Sequence, residues 1–174
     1  MKYLKILITY FSNTGNTEKV AKSIRDGLTG HDVNLVPAKE MDASLLNSYD
    51  LVIFGSGIYA GKIDRSILNL VKNTEELPSK IAYFCTHASL EFYQKPYFKI
   101  TKMLAEQGIK VIGEFECVGD NIGIPLETRM GMLSKLPEDK KKKAIEDMEE
   151  IKGRPNEEDL SRAKAFGISL LEKI

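Results

Sequence analysis

An α/β doubly wound fold follows from three features of this sequence. Short, near-continuous apolar runs rich in β-formers recur along the chain, amphipathic helical stretches separate them, and 174 residues suit one sizeable core. Runs such as KILITYF and LVIFG do not alternate as a half-exposed strand would. Both of their faces are therefore expected to be covered by helices, in a parallel sheet with right-handed crossovers.

In chain order, the first strand is expected at residues 4–11 and the first helix at 17–28. A weaker strand follows at 33–37, then a buried one, DLVIFG, at 50–55. A helical pattern at 64–72 leads to the strand IAYFCT at 81–86, and a helix at 95–107 to the strand VIGEFECV at 111–118. Residues 119–153 are polar, hold Pro125 and Pro137, and read as a helical insertion with helices at 126–133 and 138–151. The closing helix, 157–173, opens on Pro155-Asn156 and three acidic residues, which suit a helix N-terminus. Its apolar face is Leu160, Ala163, Phe166, Ile168, Leu170 and Leu171. The whole chain, 1–174, is expected to be one domain.

Composition narrows the function classes. Twenty-five basic residues balance twenty-five acidic ones, so no global field favours nucleic acid. The run Lys140–Lys143 with the acids after it reads as a solvated helix face. Cys85 and Cys117 lie far apart in apolar segments, with no metal-site spacing, and are expected as buried thiols. No apolar run approaches the ~18 residues of a membrane span, and MKYLKILITYF lacks a signal-peptide cleavage site. A cytoplasmic location is expected.

The stretch YFSNTGNTEKVAK, residues 10–22, leaves the first strand and enters the first helix. At the carboxyl end of a doubly wound strand, where ligands bind, it offers Ser12, Asn13, Thr14, Asn16 and Thr17 around Gly15. Two readings are open. Thr14 or Thr17 caps the helix, or the loop and the helix start together cradle an anion. Such a cradle would use no lysine or arginine, and neither GxxxxGK[ST] nor GxGxxG is present there.

SNTGNT after a first strand resembles the phosphate loop of the flavodoxin family, T/S-x-T-G-x-T. Ser12, Thr14, Gly15 and Thr17 match the pattern, and Asn13 and Asn16 stand in its free positions. DLVIFGSGIYAGKI is similar to the family's third strand and second flavin loop, and GRPNEEDLSRAKAFG to its closing helix. The resemblance implies a flavodoxin-like three-layer sandwich: a five-stranded parallel sheet of order 2-1-3-4-5 with helices on both faces. It also implies FMN as cofactor.

On that basis the second loop, with Ser56, Gly57, Ile58, Tyr59, Ala60 and Gly61, is expected to wrap the flavin. Tyr59 either stacks on the ring or serves as a surface aromatic, and Lys62 contacts the site or pairs with an acid. The third loop brings Thr86, His87 and Ala88 to the ring crevice, with Phe92, Tyr93 and Tyr97 as further aromatic surface. His87 contacts the site or simply bonds to backbone; His31 is expected to be solvated. In VGDNIGIP, residues 118–125, Asp120 and Asn121 are weaker candidates, with an ordinary turn as the alternative.

The implied function is electron transfer between redox partner proteins. The alternative is an FMN-dependent oxidoreductase, of quinone reductase or protoporphyrinogen oxidase type, with a small-molecule electron acceptor. A sequence pI near 6.8 departs from the acidic character of flavodoxin carriers and keeps that alternative open. A third possibility is a flavin-free domain whose loop binds another anion.

Overall fold

The structure, a computed structural model, describes residues 2–91 and 95–174. Five parallel strands, β1 (Lys5–Phe11), β2 (Asp32–Pro37), β3 (Leu51–Gly57), β4 (Ile81–His87) and β5 (Val111–Val118), form one sheet. Their order is β2-β1-β3-β4-β5, as expected. Every residue of β3 and β4 is buried, because both strands are central and covered on both faces.

Helices α1 (Asn16–Gly27) and α6 (Glu157–Leu171) cover one face. There Ile6, Ile8, Ile53 and Phe84 of the sheet meet Val20, Ile24, Ala163 and Leu170. Helices α2 (Arg65–Asn73) and α3 (Phe98–Glu106) cover the other, packing Ile67, Leu70, Ile100 and Leu104 on Leu7, Phe54 and Tyr83. Between β5 and α6 stand α4 (Leu126–Leu133) and α5 (Glu138–Ile151), each burying a single residue, Leu133 and Ile151.

α1 and α6 cross on small residues. A Cβ on Gly27 would lie 2.2 Å from the Lys164 carbonyl oxygen, and one on Gly167 would lie 2.4 Å from that of Ile24. The backbones touch there, and no side chain fits between them. The Ser23 hydroxyl adds a hydrogen bond to the Leu160 carbonyl.

Several boundaries differ from the sequence reading. β3 runs to Gly57 and β4 to His87, so Ser56, Gly57 and His87 are strand residues, not loop residues, and Thr86 ends no strand. Paired with Cys85 and Thr86 of β4, Ser56 and Gly57 keep their ladder contacts. α3 begins at Phe98 rather than 95, since the residue before Pro96 is biased away from helical geometry. A 3₁₀ helix, Ala43–Ser48, was not expected; the Asp42 carboxylate caps it by accepting the Ser44 N–H. Cys85 and Cys117 are both buried free thiols. His31 is half-buried rather than solvated: its Nδ1 accepts the Leu4 N–H at 3.3 Å.

Candidate functional site

The strand ends are level. Register pairs Phe11 with Ser56, Gly57 with Thr86 and His87 with Val118, so four strands release their chains at one edge. A cavity of about 370 Å³ opens there, within the range of small-molecule sites.

The first wall is the loop before α1. Gly15 is the N-cap residue with φ +93°, a left-handed conformation that favours glycine. The Ser12 hydroxyl accepts the Gly15 N–H at 3.0 Å and thereby fixes the turn. No side chain caps α1, so neither Thr14 nor Thr17 serves as its cap. Thr17 instead places its hydroxyl 2.7 Å from that of Thr86, tying the first loop to β4. The first N–H groups of the helix are left without a side-chain partner, at the positive end of its dipole.

Tyr59 and its neighbours make the second wall. Tyr59 and Lys62 pair through their backbones, Tyr59 N–H to Lys62 O at 2.8 Å and Lys62 N–H to Tyr59 O at 3.1 Å. The two residues between, Ala60 (φ 47°) and Gly61 (φ 77°), both have positive φ, as a tight type I′ connection requires. The Tyr59 hydroxyl accepts the Asn13 N–H at 3.2 Å, and its ring sits edge-on to Phe11 at 5.7 Å. Tyr59 thus clasps the first loop to the second, and burial raises its pKa so the phenol stays protonated at neutral pH. Ser56 faces inward: its hydroxyl donates to the Gly57 carbonyl and accepts the Asp64 N–H.

Thr86, His87 and Ala88 form the floor. The His87 imidazole, almost fully buried, meets the half-exposed carboxylate of Glu116 through Nε2. Residues 119–124 close the fourth side. Asp120 is anchored from three directions: its N–H donates to the Arg154 carbonyl (2.7 Å), its carboxylate accepts the Gly153 N–H (2.9 Å), and its carbonyl accepts the Asn16 amide (2.8 Å). This is more than an ordinary turn. A Cβ on Gly119 would come within 2.8 Å of the Asn16 side chain and one on Gly123 within 2.9 Å of Thr14, so a larger residue at either would displace that neighbour.

Of the residues expected at the site, Asn13, Thr14, Asn16, Thr17, Gly57, Ile58, Tyr59, Ala60, Thr86, His87 and Ala88 line the cavity. Ser12, Gly15, Ser56 and Gly61 do not; they set the turns behind it. Lys62 contributes only its backbone to the hairpin. Tyr97 is elsewhere: it is buried, stacked on Tyr83 at 4.3 Å, with its hydroxyl on the Phe84 carbonyl at 2.7 Å. Phe92 and Tyr93 lie outside the described residues. Sequence reasoning missed Gly119, Gly123 and Ile124; the two glycines of VGDNIGIP were the signal for them. Among the described lining residues the cavity has no lysine or arginine.

The Flavodoxin domain family model matches residues 7–167. An uncharacterized protein of Methanocaldococcus jannaschii is 31% identical over 171 residues, 97% of this chain and 99% of its own. The flavodoxin-like domain-containing protein BilS of Clostridioides difficile is 26% identical over 98% of both chains. Among solved structures, oxidised flavodoxin 1 of Bacillus cereus superposes with a TM-score of 0.65 at 18% identity, over 98% of this chain and 99% of its own. The chain belongs to the flavodoxin family.

Proposed function

We propose that the cavity binds FMN and that the protein passes electrons between redox partners. The observation that carries the cofactor is the uncapped start of α1, opening with Thr14 and Thr17 into a cavity walled by three further segments of the same sheet edge. A phosphate there would meet helix N–H groups and neutral hydroxyls, while the cavity between Tyr59, His87 and Asp120 would take the flat ring. When bound, FMN supplies one- and two-electron chemistry.

The chain's own residues do the rest. Ser12 and Gly15 aim the helix start, and Thr17 with Thr86 holds the phosphate loop against the floor. Asn16 and Asp120 fasten the fourth segment over both. His87 presents an imidazole at the floor, oriented by Glu116, where a proton can be held near a reacting group. That histidine and the zero net charge favour a second reading, an FMN-dependent oxidoreductase acting on a small molecule, of quinone reductase or protoporphyrinogen oxidase type.

Calorimetric titration with FMN and with riboflavin tests the cofactor. FMN is expected to bind at least about tenfold more tightly, because charge-assisted hydrogen bonds each contribute ~1.5–3 kcal/mol. Gly15→Ala should remove most of that preference. A protein that is colourless as purified and takes up neither compound would discard the flavin reading. With FMN loaded, NAD(P)H-driven quinone turnover without a partner protein would select the oxidoreductase over the carrier.

A further inference from the structure

The segment running from the fourth wall through α4 carries an exposed apolar surface. α4 buries Leu133 alone, whereas Ile122, Leu126, Met130, Met132 and Leu136 are each between 40% and 60% exposed. Leu126 and Met130, one turn apart, share a side of the helix. A surface helix ordinarily turns such residues to the core, and a cluster of them left outside marks a docking face. Ile122 stands between Asn121 and Gly123, which both line the first cavity, at the strand ends. The apolar surface therefore adjoins that cavity's mouth.

The charges beside it are unevenly placed. Residues 126–143 hold six bases, Arg129, Lys135 and Lys140–Lys143, against the three acids Glu127, Glu138 and Asp139, in a chain of zero net charge. Lys135, Lys140, Lys142 and Lys143 are exposed, and Lys143 reaches Glu91, three residues past Ala88 of the cavity floor, at 3.6 Å. The later acids of α5, Glu146 to Glu150, gather at its other end. Glu149 and Glu150 stand in the last turn, where the helix dipole disfavours them. Helix stability does not account for this division of charge.

We propose that the corner between α4 and α5 docks on an anionic lipid surface. Leu126, Met130 and Met132 enter the headgroup boundary, and Lys135, Lys140 and Lys142 meet lipid phosphates. The side-chain types favour lipid over protein. The apolar residues of the patch are all aliphatic, and Arg129 is drawn inward toward Asp120, so the outward bases are lysines. Protein interfaces are anchored by aromatics and arginine and are poor in lysine. A lipid surface takes Leu and Met with flanking lysines. It attracts the basic end of α5 and repels the acidic one, which fixes the orientation. Docking brings the mouth of the first cavity to a phase that holds apolar small molecules. The proposal goes beyond the flavin reading and does not rest on it.

The test is sedimentation of the full chain, with and without FMN, with two kinds of vesicle: phosphatidylcholine alone, and phosphatidylcholine mixed equally with phosphatidylglycerol. Binding is expected to the mixed vesicles only, and high salt should weaken it. Lys140→Glu combined with Lys142→Glu should lower the partition coefficient about tenfold or more. Leu126→Gln combined with Met132→Gln should lower it about fivefold. All four side chains are exposed, and near-UV circular dichroism verifies that each variant is folded. Lys102→Glu on α3 and Ile168→Gln on α6, both exposed, should leave partition unchanged. No sedimentation with the mixed vesicles, or partition unaltered by both double variants, would overturn the proposal. So would a concentration-dependent dimer that Leu126→Gln dissociates, which assigns the face to a second copy. Affinity for polyglutamate equal to that for the mixed vesicles would assign it to an acidic protein instead. A chain that takes up no FMN yet binds the mixed vesicles loses the flavin reading and keeps this one.

Discussion

Asp159 is 1% exposed and ionised, held by partners on three sides. Its carboxylate accepts from Arg154 Nε at 2.8 Å and from the Asn156 N–H at 3.0 Å, with Arg162 at 3.9 Å. The Arg154 hydrogen bond, foremost, keeps its pKa below the ordinary carboxylate range despite burial. Because the folded value is lower than the unfolded one, Asp159 stabilises the fold at pH above about 4. That contribution disappears as pH falls through the folded value. Asp159→Asn should cost about 1–3 kcal/mol in urea unfolding at pH 7, with a smaller difference from wild type at pH 3. An equal loss at both pH values would refute the ionic account. Arg154 also supplies the carbonyl that holds Asp120, so the substitution should loosen the fourth wall of the first cavity as well.

At the scale of elements, the crossing of α1 and α6 controls where the start of α1 points. Gly27 and Gly167 meet backbone to backbone, and an added methyl at either has no space. Overpacking at such a contact costs about 1–3 kcal/mol and shifts the helices apart. Gly167→Ala should therefore lower the melting temperature, whereas Gly131→Ala in α4, where a Cβ meets open space, should not. Scanning calorimetry of the two variants checks this, and equal melting temperatures would show that the crossing is slack. The second loop makes the complementary point. Ala60 holds a positive φ because the Tyr59–Lys62 pairing and the Tyr59–Asn13 hydrogen bond determine it from outside.

For the whole molecule, the walls of the first cavity come from segments distant in sequence that the sheet brings to one edge, so a ligand there adds contacts between them. FMN at a hundredfold over its dissociation constant should stabilise the fold by about 2.7 kcal/mol. For a chain of this size that corresponds to a rise of roughly 5–10 °C in melting temperature. A thermal shift assay over FMN concentration reads it, and a flat response would count against the cavity as the binding site. No helix is long and apolar enough to cross a membrane among the described residues.

Strand identity, the layer order and the turn before α1 were legible from the sequence, because each depends on neighbours along the chain. Burial on both faces leaves an unbroken apolar run, as in β3, and the SNTGNT pattern carries its own turn geometry. The fourth wall was legible only as a polar segment with Asp120 and Asn121 as weaker candidates, both of which line the cavity. Its anchors, Asn16, Gly153 and Arg154, are local to Asp120 only after folding. Tyr97 shows the converse: an aromatic in a promising loop that the turn at Pro96 directs into the core. The sequence by itself determined which segments would be strands, which would be helices, and where the chain would turn from β1 into α1, since these follow from periodicity, turn chemistry and one motif. Only the tertiary structure decided that Thr17 bonds to Thr86 instead of capping its helix, that Tyr59 clasps the first loop, and that Glu116 meets His87. Those outcomes rest on contacts between residues 29 to 69 positions apart, which no local pattern encodes.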